Sequence, residues 1–266
     1  MKTYLTLSAI ALAAAATLSS GAMAQTAPAP DFTVTGNFGV TSDYRFRGIS
    51  QNNLDPAFQG GFDVAHKSGL YVGTWGSNVS NWAAGPGASL EMDLYGGYKT
   101  DLSGIGLDIG LISYTYPGSK KETRADTQEA YVGLTYGPIT FKTSYVIGKN
   151  YFASTKSGGD ASGTMYYDLT LSQEIAPKLV ASIHAGYTDY KQAAANSDIG
   201  TDKFSYSDYN LGLTYDLGNG FNLGAKYFWN DLSKGTKTYA DASAASLAGP
   251  KNLGKDGFAV SLTKAF

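Results

Sequence analysis

The sequence predicts an all-β fold: a single transmembrane antiparallel up-and-down β-barrel of about twelve strands. Three observations carry that reading. Apolar and polar residues alternate with period two along most of the chain. The joints between alternating segments are short and long in turn. The last segment, Gly257 to Phe266, has Phe258, Val260, Leu262 and Phe266 on one face, Ala259, Ser261, Thr263 and Ala265 on the other, and ends on an aromatic.

Composition agrees. Charged residues make up 16% of the chain and aromatics 13%, with 33 Gly and 20 Tyr, whereas a soluble domain carries about 25% charge. There is no Cys, so neither disulfides nor thiolate chemistry is available. Residues 1–24 read as an export signal: a positive start at Lys2, an Ala-rich apolar stretch, and Ala22-Met23-Ala24 at the cleavage position. Lys2 is the only charge there, so cleavage takes the net charge from −2 to −3. That balance argues against a nucleic-acid partner. Residues 25–31 then form a short periplasmic N-terminal segment and 32–266 the barrel. Beyond the signal no apolar run reaches the roughly 18 residues of a membrane helix.

The first strand sets Phe32, Val34, Phe38, Val40, Tyr44 and Phe46 against Thr33, Thr35, Asn37, Thr41, Asp43 and Arg45. Residues 57–67 oppose Phe58, Phe62 and Val64 to Gln59 and Asp63. Residues 70–78 are ambiguous. A two-residue Ser68-Gly69 turn sends Tyr71 and Trp75 to lipid, and a three-residue Lys67-Ser68-Gly69 turn sends Leu70 and Val72 there. Residues 89–99 turn Leu90, Met92, Leu94 and Tyr98 away from Glu91, Asp93 and Lys99, and 105–116 turn Ile105, Leu107, Ile109 and Leu111 away from Asp108. Val132, Leu134 and Tyr136 oppose Glu129 and Tyr131; Ile139, Phe141 and Tyr145 oppose Lys142 and Ser144. Met165, Tyr167, Leu169 and Leu171 oppose Tyr166, Asp168 and Thr170, and Ile183 and Tyr187 oppose Ser182 and His184. Tyr209, Leu211, Leu213 and Tyr215 oppose Asn210 and Thr214; Phe221, Leu223 and Tyr227 oppose Asn222 and Lys226.

Short joints near 67–69, 100–104, 137–138, 174–178 and 218–220 hold turn residues, while long joints fall near 47–56, 79–88, 117–126, 148–163, 191–203 and 231–256. This asymmetry, tight periplasmic turns against larger outer loops, puts both termini on the periplasmic side. A secreted sandwich or lipocalin-like barrel also alternates, but this much outward apolar surface would aggregate in water. Tyr44, Tyr98, Tyr136, Tyr187, Tyr215, Tyr227 and Trp229 read as interfacial girdles.

The polar faces then line a lumen. Its acids are Asp43, Asp63, Glu91, Asp93, Asp108, Glu129 and Asp168, and its bases are Arg45, Lys99, Lys142 and Lys226, with Arg47 at the loop edge. Arg45 and Arg47 near the outer end of strand one, set against Glu91, Asp93 and Glu129, form a candidate constriction with a transverse field, and the acid excess implies a mild cation preference. The same charges can instead serve only to pair one another. The long 231–256 loop could fold in as a plug. Only His66 and His184 are present, without a nucleophile motif or a second His nearby, so neither catalysis nor a metal site is expected. No cofactor is expected.

Several motifs stand in order along the chain: Thr41-Ser42-Asp43-Tyr44-Arg45-Phe46-Arg47-Gly48-Ile49-Ser50, then Gly69-Leu70-Tyr71-Val72-Gly73-Thr74-Trp75-Gly76-Ser77-Asn78-Val79, and Glu91-Met92-Asp93-Leu94-Tyr95-Gly96-Gly97-Tyr98. Tyr114-Thr115-Tyr116-Pro117-Gly118 and Gln128-Glu129-Ala130-Tyr131 follow. In these the chain resembles the proteobacterial TorF-type porins over nearly its whole mature length. The resemblance implies an outer-membrane pore and transfers no substrate or catalytic residue. The expected function is passive diffusion of small hydrophilic solutes or ions; the alternative is a plugged structural or adhesive barrel acting through its outer loops. Expected partners are outer-membrane lipid, lipopolysaccharide, and the barrel-assembly machinery reading Phe266. Lys264 departs from the aromatic more usual in that terminal signal.

Overall fold

A computed structural model describes residues 30–84, 87–119, 125–152, 160–191, 205–232 and 253–266. The expected signal segment and most of the 231–256 loop lie outside the described residues. The strands are β1 (Phe32–Thr41), β2 (Arg45–Phe46), β3 (Ile49–Ser50), β4 (Ala57–His66), β5 (Leu70–Asn78), β6 (Leu90–Leu102), β7 (Ile105–Thr115), β8 (Thr127–Tyr136), β9 (Ile139–Val146), β10 (Met165–Ala176), β11 (Leu179–Asp189), β12 (Tyr206–Gly218), β13 (Phe221–Asn230) and β14 (Gly257–Ala265). A single helical turn, α1 (Asn81–Ala84), follows β5. Twelve strands, β1 and β4–β14, close an antiparallel barrel in which β1 pairs with both β4 and β14; β2 and β3 form a separate hairpin.

Closure satisfies every ladder and leaves no edge, as hydrocarbon requires. The outward side chains are the apolar ones. Phe58 is 65% exposed and Phe258 73%, with Leu94, Leu111, Ile183 and Leu211 on the same surface. In water such a surface would drive aggregation; around a closed barrel it is the lipid-facing belt of an outer-membrane architecture. On β12–β14, Tyr209, Trp229, Tyr227 and Phe258 form a continuous outer aromatic ladder with ring centroids 4.7–5.9 Å apart.

The ambiguity at β5 resolves in favour of the longer turn. β4 ends at His66 and β5 begins at Leu70, so three residues turn the chain, and Val64 pairs with Val72. Leu70 and Val72 face lipid, while Tyr71 and Trp75 face inward. At the β12–β13 joint the expected three-residue turn is a two-residue Asn219-Gly220 turn plus a register shift between Asp216 and Gly218. The displaced residue, Leu217, preserves parity, so Leu217 and Phe221 both face out. Asn219 and Gly220 have φ of 51° and 78°, the pair of positive values that a primed hairpin turn demands.

Two assignments on the first strand are overturned. Tyr44 and Phe46 were expected on the lipid face, and Tyr44 in a girdle; both are inside the barrel, Tyr44 buried and Phe46 packed against the interior aromatic cluster. β1 stops at Thr41, whose hydroxyl donates to the Asp43 carbonyl (3.0 Å). From there the chain bends into the bore, and alternation past the bend no longer sorts lipid from lumen.

Inside, tyrosines lie over glycines of the neighbouring strand. Tyr131 faces Gly110 across β7–β8, and a Cβ on Gly110 would lie 2.5 Å from the Tyr131 hydroxyl and 2.7 Å from the Gly96 carbonyl. Gly110→Val should therefore destabilise the barrel by about 1–3 kcal/mol through overpacking. The readout is the midpoint of urea unfolding in detergent; an unchanged midpoint would show that the wall yields there.

Candidate functional site: a hairpin across the bore

The outer half of the lumen is occupied by residues 42–56, the first outer loop. Arg45 pairs with Ser50 and Phe46 with Ile49, leaving Arg47-Gly48 as the tip. The tip has φ of 47° and 77°. This is a two-residue primed turn, which costs little for Gly48 and is unusual for an arginine.

Arg47 reaches the far wall. Its Nη1 and Nη2 donate to the two Glu129 carboxylate oxygens of β8 at 2.9 and 2.8 Å, a bidentate pair. Nη1 also donates to the Tyr151 hydroxyl at 2.9 Å. The guanidinium stacks 4.2 Å from the Tyr166 ring centroid and 4.7 Å from that of Phe46. Only 6% of the Arg47 side chain and 1% of that of Glu129 remain exposed. The Tyr206 hydroxyl donates to the Arg47 carbonyl (2.7 Å), and Asn230 Nδ2 donates to the carbonyls of Gly48 (3.3 Å) and Gly254 (2.7 Å). The hairpin is thus fastened to β8, β12 and β13 together.

Arg45 serves the hairpin itself. Its Nε donates to Asp43 Oδ2 at 2.5 Å, its Nη1 donates to the Lys255 carbonyl at 2.7 Å, and Asp43 Oδ1 accepts from the Ser50 hydroxyl at 2.6 Å. The Tyr44 hydroxyl donates to Glu91 Oε1 (3.1 Å), and its ring meets Trp75 edge-on at 5.5 Å. Burial, and then the Glu91 and Asp93 carboxylates, push that hydroxyl well above its ordinary range, so it stays a donor. Asp93 is buried beside Glu91 on the inner face of β6, and its Oδ1 has no hydrogen-bond partner. Phe46, Tyr114, Phe152, Tyr151 and Tyr190 complete the filling in a chain of ring contacts of 5.0–5.7 Å.

Below the hairpin the inward carboxylates are engaged one by one. Asp63 accepts from the Tyr95 hydroxyl (2.7 Å) and Asp108 from the Tyr71 hydroxyl (2.6 Å), with Lys99 Nζ 3.7 Å from Asp108. His184 lies between Asp168 (3.4 Å from Nδ1) and Asp208 (3.2 Å from Nε2), and Tyr166 donates to Asp208. Lys142 rests 4.0 Å from the Tyr131 ring centroid. Lys226 is exposed to the bore. Phe266 packs its ring on the β1–β4 wall, 6.1 Å from Phe62, and its backbone exchanges hydrogen bonds with Gly36.

The residues expected at a constriction therefore separate. Arg47 and Glu129 meet directly, Glu91 meets Tyr44, Arg45 turns back to Asp43, and Asp63, Lys142, Asp168 and Lys226 line the bore below. Asp208, Tyr206, Tyr151 and Asn230 were missed. For Asp208 and Tyr206 the signal was available, since they continue the inward parity of Asn210. For Tyr151, in a loop, there was none. Among the described residues no group of three or more His, Asp or Glu side chains is placed to hold a metal ion.

The family described as "Bacterial protein of unknown function (Gcw_chp)" matches residues 24–266. The chain belongs to the Gcw_chp family. No curated protein matches it in sequence. Among solved structures this Gcw_chp chain is similar to a KdgM porin at 5% identity, covering 87% of this chain and 99% of that one with a TM-score of 0.51. A NanC porin matches at 10% identity with the same coverage and a TM-score of 0.51. A KdgM porin in complex with disordered oligogalacturonate matches at 6% identity, covering 88% and 99%, with a TM-score of 0.50. At such identities the likeness shows a shared fold, a twelve-strand outer-membrane barrel of the KdgM and NanC type.

Proposed function

We propose that this Gcw_chp protein is an outer-membrane, porin-like channel for passive diffusion of small hydrophilic solutes or ions, narrowed by its own first outer loop. One observation carries the reading. A short hairpin crosses the bore and meets β8 through a bidentate ion pair, Arg47–Glu129, above a half-lumen lined with hydroxyls, amides and water-exposed charge. A barrel built only as a scaffold could fill its interior with apolar side chains throughout. The finer reading as a TorF-type porin rests on the Thr41–Ser50 motif, which is the segment that forms this hairpin. Lipid and lipopolysaccharide would surround the apolar belt, and the assembly machinery would read the strand ending at Phe266.

The acid excess of the sequence keeps a mild cation preference within this reading, since a neutral hydrogen-bond donor leaves a carboxylate its charge. Asp63, Asp108 and Asp168 accept from tyrosine, threonine and histidine donors. Lys142 and Lys226 have no carboxylate within 4.0 Å among the described residues.

Purified protein in planar bilayers should give stepwise currents that fall as neutral solutes of increasing size enter the bore. The filled outer half favours the second reading, a closed barrel acting through its loops; silence at all voltages, in the parent and in a variant with a loosened hairpin, would establish it. Arg45→Ala should change conductance less than loss of Arg47, because among the described residues the Arg45 side chain hydrogen-bonds within the hairpin and to the Lys255 carbonyl and lies 5.8 Å from the Phe228 ring centroid, without an ion pair to the far wall. Equal effects of the two would show that the hairpin moves as a unit whichever arginine is lost.

A further inference from the structure

We propose that the lipid face carries a seat for one lipopolysaccharide molecule, with an acyl chain in a notch over Ala185 and phosphates at Lys149 and Lys191. The seat rests on the outer-membrane location of the barrel and not on whether its bore conducts. Strand register shows where the notch comes from. Leu169 of β10 pairs with Ala185 of β11, and Ala185 pairs with Tyr209 of β12. One step toward the outer loops, the next outward row is Tyr167, Tyr187 and Ser207. Ala185 and Ser207 thus sit diagonally among four large side chains, and they floor a notch of about 280 Å³ between them.

Within a bilayer no hydrophobic force drives a lipid onto an apolar face, so one stays only where packing holds it. A methylene in the notch meets wall atoms on several sides, and an unfilled notch forfeits those contacts. The walls are already ordered. The Tyr209 ring stacks on Trp229, with centroids 5.4 Å and planes 17° apart, and the Tyr167 hydroxyl donates to Met165 Sδ at 3.3 Å. Depth then selects the leaflet. Lys191 lies six residues beyond Ala185 on the outward column of β11. At about 3.3 Å per residue and a tilt of about 40°, that is about 15 Å of height, half of a hydrocarbon core about 30 Å thick. The notch therefore lies near the midplane and Lys191 at the outer surface, where the Thr164 hydroxyl bonds both its backbone N–H (3.0 Å) and its carbonyl (3.1 Å). The outward column of β9 rises through Tyr145 and Ile147 to Lys149 in the same way. Both lysines are exposed, and neither forms an ion pair among the described residues. Asp160 stands near Lys149 and Asp189 near Lys191, so the rim is of mixed charge. The notch accordingly carries the attraction, and the two ammonium groups add charge-assisted bonds to phosphate. The lipid on that side of an outer membrane is lipopolysaccharide, which supplies both acyl chains and phosphates.

The test is native mass spectrometry of the full barrel, taken from a Gram-negative outer membrane in mild detergent and stripped of lipid in steps. The expected result is one lipopolysaccharide molecule that stays bound after phospholipid has gone. Ala185→Leu, which fills the notch, should lower the retained fraction at least about fivefold. Ala225→Leu makes the same change on the outward face of β13, away from the notch, and should leave retention unchanged. Changing Lys149 and Lys191 together to Gln should lower it by a smaller factor. Heat-modifiable migration confirms that each variant is folded. Loss of all lipids in the same step would overturn the proposal, as would equal effects of the two leucine variants. Phospholipid held in place of lipopolysaccharide, or retention indifferent to the two lysines, would overturn the choice of occupant. No current is measured, so a silent barrel that keeps its lipid speaks against the channel only, and a conducting barrel that sheds it speaks against the seat only.

Discussion

Replacing Arg47 with alanine should open the bore. The guanidinium is the one group of the hairpin tip that reaches β8, and it does so through both of its terminal nitrogens. Removing one partner of a buried ion pair leaves the other charged and unsolvated, at a cost of about 3–5 kcal/mol. Here the survivor would be Glu129, with 1% of its side chain exposed. Water must reach that carboxylate, and it can do so only if the hairpin lifts away. At 1.4 kcal/mol per decade, this shifts the balance between seated and lifted hairpin by roughly 10²–10³. The stacking on Tyr166 and Phe46 is lost in the same step. Planar-bilayer recordings should show a several-fold rise in open probability or unitary conductance. Arg47→Lys, which keeps the charge and loses the planar fork, should fall between. Adding Glu129→Gln to Arg47→Ala should restore stability while leaving the bore open, because the orphaned charge is gone but the strap is still missing. A variant with the conductance and open probability of the parent would show that the hairpin does not control passage.

The second large effect concerns the outer face. Leu211 lies midway along β12 and is 48% exposed on the barrel exterior. Leu211→Arg should cost about 2–4 kcal/mol, the range for a basic residue near the bilayer midplane, with an aspartate costing less. Ser182→Arg, in contrast, points into the bore and should be tolerated by assembly. The measurement is the yield of folded, heat-modifiable barrel in the membrane and the urea midpoint after extraction. Equal yield of the two variants would contradict the assigned faces.

Much of this was legible in the sequence because lipid imposes a simple rule. Each membrane strand must put apolar groups out, its period is two, and its neighbour is the next strand along the chain. Leu90, Met92, Leu94, Leu211, Leu213 and Leu223 could be placed from alternation alone. The rule falls silent where both faces can be apolar, as in β5, since Trp75 and Tyr71 suit a filled lumen as well as a girdle. There the turn length decided. It also misleads where the chain leaves the wall, as at Tyr44 and Phe46.

The sequence by itself determined the barrel, its strand count, its lipid face and the end that carries long loops, all of which follow from local pattern and the chemistry of hydrocarbon. Only the tertiary structure decided what fills the bore. Arg47 and Glu129 stand 82 residues apart in the chain, and their meeting depends on the curvature of the closed sheet and the bend after Thr41. A charge in a sequence shows no partner; whether Asp63 or Lys226 is free is settled across the lumen, between residues that no period along the strand relates.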